Sequence, residues 1–168
     1  MKVTIDGQEI EVEAGTTILQ AARMIGGESV PPAMCYYSKL KGTGGKCRCC
    51  LVDVTKGSEA DPRPMPKLVA SCVTGCQDGM EIASKSSERV TEARKAVTEF
   101  LLINHPLDCP VCDQAGECDL QNLSFEHGKS ETRFIEEKRT FEPEDIGDKI
   151  QLHMNRCIVC QRCVEVAD

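Results

Sequence analysis

One imidazole and three thiols lie within fourteen residues of this chain, in the run from His105 to Cys118. Three, two and five residues separate the successive donors. Thiolates and a neutral imidazole are soft or borderline ligands, and at these spacings a short loop can surround one metal centre. The donors suit a zinc ion as well as an iron–sulfur cluster, so the run alone leaves both open. The expected ligands are His105, Cys109, Cys112 and Cys118.

A second set of four cysteines precedes this run. Eleven residues separate Cys35 from Cys47, two separate Cys47 from Cys50, and twenty-one separate Cys50 from Cys72. Two close loop cysteines with a distant closing ligand are typical of a plant-type [2Fe–2S] site, here with a longer first gap. The glycines before Cys47 would let backbone N–H groups approach bridging sulfides closely.

A third group of cysteines has two successive two-residue gaps, and it consists of Cys157, Cys160 and Cys163. This spacing matches the start of the bacterial ferredoxin run that binds [4Fe–4S]. A fourth ligand would have to lie beyond Asp168 or on another chain. The alternative is three thiols that hold no metal.

The remaining candidate side chains are predicted to be structural. Cys49 and Cys76 are expected to be buried or half-exposed thiols, with the Cys49 side chain pointing away from the metal. His127 and His153 have no ligand-like spacing to a cysteine pair, so we expect them at the surface or in packing.

Composition restricts the class of protein. The chain has 168 residues, 12 cysteines, 4% aromatic residues and no Trp, so metal centres are expected to help stabilise small domains. The first residues lack the apolar core of a signal peptide, which favours a reducing cytosol and metal-binding rather than disulfide-bonded cysteines. A net charge of −7 argues against nucleic acid as a partner. No apolar run is long enough to span a membrane.

Local patterns in the first half predict a small unit with strands and one helix. Alternating apolar residues around an early Asp-Gly pair predict an opening β-hairpin. Thr17 and Gln20 form a capping-box pattern that predicts the start of a short amphipathic helix. Leu51 to Val54 and Met80 to Ala83 are further predicted strands. Together with the cysteine spacing, these elements suggest a β-grasp ferredoxin.

One loop of the first half and the chain after Ala83 are predicted to be less regular. Lys56 to Lys67 carries three alternating prolines, which exclude an interior strand and indicate an extended surface loop. Helical spacing begins at Ser87 and should end at Pro106, which places His105 at a helix C-terminus facing the cysteine loop. Glu126 to Asp148 is charged and predicted to be a linker with one strand-like segment near Arg133 to Glu136.

Two runs carry a resemblance to a known family. The sequence from His105 to Gln121 and the run from Met154 to Cys163 resemble the N-terminal iron–sulfur part of the large, 75 kDa-type subunit of bacterial NADH:quinone oxidoreductase, respiratory complex I. The similarity covers nearly the whole chain. It implies a [2Fe–2S] cluster on the first cysteine set and a [4Fe–4S] cluster on the His/Cys3 set. It also implies a second [4Fe–4S] cluster on the third set, completed by a downstream ligand.

The fold class expected on this basis is α+β, in four parts. Residues 1–83 would form a [2Fe–2S] ferredoxin-type β-grasp domain, and residues 84–125 a small helical domain with His/Cys3 ligation of [4Fe–4S]. Residues 126–148 would be the charged linker. Residues 149–168 would begin a ferredoxin-like [4Fe–4S] segment, with the remainder of the large chain missing.

The resemblance implies an electron-transfer part of an enzyme with no catalytic residue of its own. Electrons would pass from a flavin-bearing, NADH-oxidising partner toward quinone, with the His/Cys3 group as the middle station. No nucleotide-binding loop is present, so NADH should bind another chain of the enzyme. Other peripheral-arm subunits would hold the chain at the cytoplasmic face of the inner membrane. An iron–sulfur subunit of an NAD-linked hydrogenase or formate dehydrogenase is one alternative, and a zinc-stabilised scaffold without redox activity is another.

Overall fold

A five-stranded mixed sheet forms the first half of the molecule in the computed structural model, which describes residues 1–167. Its strands are β1 (Lys2–Ile5), β2 (Gln8–Glu11), β3 (Leu51–Lys56), β4 (Val69–Ala70) and β5 (Met80–Ala83). The spatial order is β2-β1-β5-β3-β4. β1 pairs parallel with β5, and every other pairing in this sheet is antiparallel. The hairpin prediction and the two strand predictions are confirmed, with β3 extending two residues further than expected.

Four α-helices and a two-stranded ribbon complete the α+β fold. They are α1 (Ile18–Ile25), α2 (Glu88–Leu102), α3 (Asp119–His127), β6 (Glu144–Asp145), β7 (Gln151–Leu152) and α4 (Arg162–Ala167). The capping box of α1 is confirmed, because Gln20 N–H donates to Thr17 Oγ1 at 3.3 Å while Gln20 Oε1 accepts from Thr17 N–H at 2.9 Å. Helix α2 ends at Leu102, slightly before the expected stop at Pro106.

The main core lies between α1 and the sheet. Strand β1 alternates as its sequence predicts, with Val3 and Ile5 at most 1% exposed and Lys2 facing solvent. Helix α1 covers this face with Ile18, Ala21 and Ala22. Each large aliphatic side chain buried here stabilises the fold by roughly 1.5 to 3 kcal/mol relative to exposure. The core therefore fixes the sheet from which the cysteine loops emerge.

Asp6 ties the first hairpin to the connection between β5 and α2. Its backbone has a φ of 46°, which the tight turn before Gly7 requires. Its carboxylate accepts four hydrogen bonds, from the N–H groups of Ser84, Lys85 and Ser86 at 2.8 to 3.2 Å and from Ser86 Oγ at 2.7 Å. Burial raises the pKa of Asp6, but these hydrogen bonds outweigh it and hold the pKa below its usual value.

The segment after α3 is attached to α2 rather than forming the predicted strand. Glu99, whose side chain is 4% exposed, accepts from Arg133 N–H at 2.7 Å, from Nε at 2.9 Å and from Nη2 at 2.6 Å. The expectation of a strand near Arg133 to Glu136 is wrong. The Arg133 N–H donates to the Glu99 side chain and is therefore not free to pair with another strand. Lys138 Nζ also donates to Leu102 O and Ile103 O, at the C-terminal end of α2.

Replacing Asp6 by Ala should lower the free energy of unfolding by about 2 kcal/mol, since three backbone N–H groups and one hydroxyl lose their shared acceptor. Urea unfolding followed by circular dichroism measures this. The matched control is Asp61→Ala, because the exposed Asp61 carboxylate bonds only Arg63. That change should cost under about 1 kcal/mol. Equal losses in the two variants would contradict the role of Asp6.

The Glu99–Arg133 pair should make attachment of its segment pH-dependent. Hydrogen bonds from Arg133 lower the pKa of Glu99 from 4.5 to about 2. The stabilisation is therefore complete above the unfolded-state pKa of 4.5 and is lost as pH falls from there toward 2. Hydrogen exchange of residues 129–138 should quicken over this range, beyond the intrinsic pH effect. Glu99→Gln should remove that dependence, whereas Glu88→Gln, at an exposed position on the same helix, should keep it.

Candidate metal centres

The structure brings the four cysteines of the first set together. Cys35, Cys47 and Cys50 lie on the loop that leads into β3, and Cys72 lies just after β4, the strand paired with β3. Their exposed fractions are only 1% to 7%. Cys50 Sγ is 3.3 Å from Cys72 Sγ, and the Cys35 thiol interacts with those of Cys47 and Cys72. The pairing of β3 with β4 thus brings Cys72 next to Cys50, although the two are far apart in the sequence.

Backbone N–H groups point at these sulfur atoms. Gly45 N–H donates to Cys72 Sγ at 3.2 Å, and the N–H groups of Lys46 and Cys47 donate to Cys35 Sγ at 3.3 and 3.4 Å. Such donors stabilise negative charge on sulfur and are a usual feature around iron–sulfur clusters. They support the expectation that the glycine-rich loop lets the backbone approach the ligand group.

Gly44 is the position where this approach depends on the absence of a side chain. Its φ is +117°, and a Cβ atom there would stand 3.2 Å from Val73 Cγ1 and 3.3 Å from Cys72 Sγ. The backbone conformation is strained for any residue with a Cβ, and the contacts are tighter than usual. Only glycine fits between the loop and the ligand sulfur.

The first set is electrostatically suited to a cationic group. Hydrogen bonds from the Cys47 and Cys72 thiols hold the pKa of Cys35 far below its usual value, and the hydrogen bond with Cys72 lowers the pKa of Cys50 to about 6. The pKa values of Cys47 and Cys72 are raised, chiefly because each donates to Cys35. The four buried sulfurs thus share hydrogen bonds with one another, an arrangement that iron bound by four thiolates would replace. The residues present fit a [2Fe–2S] group.

Left-handed backbone recurs inside the two-residue cysteine gaps. Of the four non-glycine residues with positive φ, three lie in such gaps: Arg48 at 63°, Val159 at 55° and Gln161 at 62°. This conformation is uncommon, and for a β-branched residue such as Val159 it is strained. It curls the chain tightly between successive cysteines. The two-residue gap was visible in the sequence, but no residue type marked these positions for left-handed backbone.

The second set surrounds a cavity of about 230 Å³ next to α3. The lining includes His105, Cys109, Cys112 and Cys118. His105 lies three residues beyond α2 and faces the cysteine loop as predicted. Burial lowers its pKa from 6.5, so its imidazole is neutral and able to act as a ligand at neutral pH. These residues also fit a metal cluster.

Helix α3 fixes the second set against α2. It begins directly after Cys118, and its buried side chains Leu120 and Leu123 join an apolar cluster with Leu101 and Leu102. The two helices thus set where the cysteine loop begins and ends.

No three His, Cys, Asp or Glu side chains within residues 1–167 are grouped around a single point as a mononuclear ion would require.

The third set is less enclosed than the others. Cys157 and Cys163 are exposed and Cys160 is half-buried. Cys157 lines a cavity with Cys47, whereas Cys160 lines another with residues of the second set. Cys163 lines neither of these two cavities.

The segment that carries the third set contacts both other sets. Arg162 donates to Met34 O and Tyr36 O, the carbonyl oxygens on either side of Cys35, and its guanidinium lies 5.8 Å from the centroid of the Tyr37 ring. Arg156 forms an ion pair of 2.6 Å with Asp108, the neighbour of Cys109. No sequence pattern marks these two arginines for such contacts, although each lies directly next to a third-set cysteine.

Two cysteines lie outside the predicted ligand sets. Cys49 is 1% exposed, and its thiol donates to Cys47 O at 3.7 Å and interacts with the Cys47 thiol. It therefore lies closer to the ligand group than expected. Cys76 packs in the sheet core, where burial raises its pKa above the usual value. The expectation of buried or half-exposed thiols is confirmed for both.

Comparison with known proteins identifies two sequence families along the chain. Residues 1–87 match the 2Fe-2S iron-sulfur cluster binding domain, and residues 94–133 match the NADH-ubiquinone oxidoreductase-G iron-sulfur binding region. The first range contains the first cysteine set and the second contains His105 and its three cysteines. The third set lies outside both ranges.

Similar proteins include respiratory subunits and a hydrogenase. The chain is 49% identical over 98% of its length to the mitochondrial NADH-ubiquinone oxidoreductase 78 kDa subunit of Candida albicans. It is 47% identical over its whole length to the G subunit of NADH-quinone oxidoreductase from Rickettsia bellii. It spans 21% and 23% of the lengths of these relatives. A crystal structure of NAD+-reducing [NiFe]-hydrogenase superposes with a TM-score of 0.82 at 30% identity, covering 99% of this chain and 65% of that one.

Replacing Gly44 by Ala should reduce metal-cluster occupancy of the first set at least several-fold, because the added Cβ displaces Cys72 Sγ or Val73. Iron bound per chain and visible absorption after anaerobic purification measure this. Gly75→Ala is the matched control, since Gly75 lies three residues after Cys72 and a Cβ there meets nothing within 4 Å. Equal occupancy in the two variants would show that close approach at Gly44 is not required.

Proposed function

We propose, from the premise that the chain belongs to the 2Fe-2S iron-sulfur cluster binding domain family, that it relays electrons within an NADH:quinone oxidoreductase. The relatives that are 45% to 49% identical over nearly its whole length are subunits of such oxidoreductases. The observation that carries the proposal is the buried group of four cysteine sulfurs with backbone N–H donors, which lies inside the matched range. Electrons would enter from a flavin-bearing, NADH-oxidising partner and leave toward quinone.

Three ligand sets would hold the clusters. The first, Cys35, Cys47, Cys50 and Cys72, would hold [2Fe–2S] in a β-grasp domain, a fold that the mixed sheet packed against α1 supports. The second, His105, Cys109, Cys112 and Cys118, would hold [4Fe–4S]. The third, Cys157, Cys160 and Cys163, would need one more ligand for a second [4Fe–4S]. When bound, such clusters supply one-electron redox chemistry.

The protein's own residues would position the clusters, exclude water and donate hydrogen bonds to sulfur. No catalytic residue is assigned. In chain order the His/Cys3 group stands in the middle, but the contacts support a different spatial order. Because the segment of Arg156 and Arg162 contacts both other sets, we place the third set between them.

The proposed partners are the flavin-bearing subunit and other peripheral-arm subunits. Within residues 1–167, no helix is both long and apolar enough to cross a membrane. By analogy with the respiratory relatives, partner subunits would hold the chain at the cytoplasmic face of the inner membrane. The net charge of −7 gives no support for a nucleic-acid partner.

A hydrogenase subunit is the second candidate, because the hydrogenase structure superposes over nearly the whole chain. Its identity of 30% is well below the 45% to 49% of the respiratory relatives, so the respiratory assignment is favoured. Either candidate is a redox relay and differs only in the partner enzyme.

Metal analysis tests the relay proposal directly. The chain, purified anaerobically, should contain iron and acid-labile sulfide and show the electron paramagnetic resonance signal of a reduced [2Fe–2S] cluster. Cys72→Ala should lose that signal, while Cys76→Ala, four residues later and outside the ligand set, should keep it. About two zinc ions per chain with no acid-labile sulfide would overturn the proposal in favour of a zinc-stabilised scaffold.

A further inference from the structure

Helix α2 carries a positive charge into the interior beside the first cysteine set. Arg94 is 5% exposed, and its Nη2 donates to Leu51 O at 3.1 Å and to Ser84 Oγ at 3.0 Å. Leu51 directly follows Cys50, so the guanidinium is anchored one residue from a predicted ligand. Its Nε atom is buried and has no hydrogen-bond partner in the part of the chain that the structure describes.

No carboxylate of residues 1–167 forms an ion pair with this guanidinium. Asp6 is close enough to act on it electrostatically, but the Asp6 carboxylate is already occupied by the N–H and hydroxyl groups between β5 and α2. His127 on α3 also faces Arg94, and burial and Arg94 together lower the His127 pKa, so this imidazole stays neutral at neutral pH. Burying a cation without an ion-pair partner costs free energy. This cost suggests that the Arg94 guanidinium interacts with a negative charge that is not a carboxylate.

Two sulfur groups of the cysteine loop also act electrostatically on Arg94. Beyond Asp6, the groups that act electrostatically on Arg94 are the thiols of Cys50 and Cys49. Burial keeps water away from both the guanidinium and the four sulfurs, so their interaction is weakly screened. The geometry thus places a fixed positive charge behind the Cys50 side of the first set.

We propose that Arg94 is a positioning residue that raises the reduction potential of the [2Fe–2S] centre, a role that rests on the function proposed above. Reduction adds one negative charge to the cluster, and a fixed nearby cation favours the more negative state. At an effective dielectric constant of about 20 and a separation on the order of 12 Å, removing one charge changes the reduced-to-oxidised ratio about tenfold at fixed potential. Tenfold corresponds to about 59 mV for a one-electron couple.

The test is a redox titration of the anaerobically purified chain, followed through the [2Fe–2S] paramagnetic signal. Arg94→Gln should lower the midpoint potential by about 59 mV, the equivalent of a tenfold change in the reduced-to-oxidised ratio. Arg94→Lys should leave the potential nearly unchanged because the charge remains. Arg89→Gln is the matched control. Arg89 lies on the same helix but is half exposed and pairs with Asp53 at 3.6 Å, so its loss should not move the potential.

A second pair of variants tests the charge without removing Arg94. Ser84→Asp places a carboxylate next to Nη2 and should neutralise the guanidinium, lowering the potential, while Ser84→Asn changes the shape similarly without adding charge. Intact signals with equal potentials in wild type and Arg94→Gln would overturn the role of Arg94. If Arg94→Gln loses its cluster, equal potentials in Ser84→Asp and Ser84→Asn would overturn it instead. Wild-type chain without any [2Fe–2S] signal would overturn the proposed function itself.

Discussion

Four cysteine sulfurs lie buried within reach of one another in the first part of the fold, and buried negative charge on sulfur is costly unless donors and cations surround it. Much of the neighbouring structure meets this requirement. The glycine loop turns three backbone N–H groups toward Cys35 and Cys72. The pairing of β3 with β4 brings the distant fourth sulfur to the other three. Arg94, anchored to the carbonyl oxygen of Leu51 next to Cys50, adds a fixed positive charge.

Helix α2 connects this first site to the rest of the chain. Its start follows the turn held by Asp6, its middle carries Arg94, and Glu99 near its end binds Arg133. His105 lies only three residues beyond the end of α2. One helix therefore relates the first cysteine set, the second set and the charged segment, and a shift of α2 would disturb all three.

Sequence patterns predicted the features that depend on residues close together in the sequence. The hairpin, the capping box and the strand that ends at Ala83 follow from residues a few positions apart. The cysteine spacings also indicated which side chains would gather. The contacts of Glu99 with Arg133 and of Arg162 with Tyr36 join residues 34 and 126 positions apart, and no local pattern reports them. For the same reason, the order of the three sets along the chain does not predict which one contacts both others.

The left-handed residues Arg48, Val159 and Gln161 have a consequence for the life of the protein in a cell. A backbone held in a strained conformation tends to relax by local unfolding when the interactions that hold it are lost. If these loops hold the proposed clusters, oxidative damage that strips the metal would leave both the strain and the crowded sulfurs uncompensated. Locally unfolded loops are where proteases cut. The same backbone geometry that shapes the ligand loops would therefore mark a damaged chain for removal and replacement.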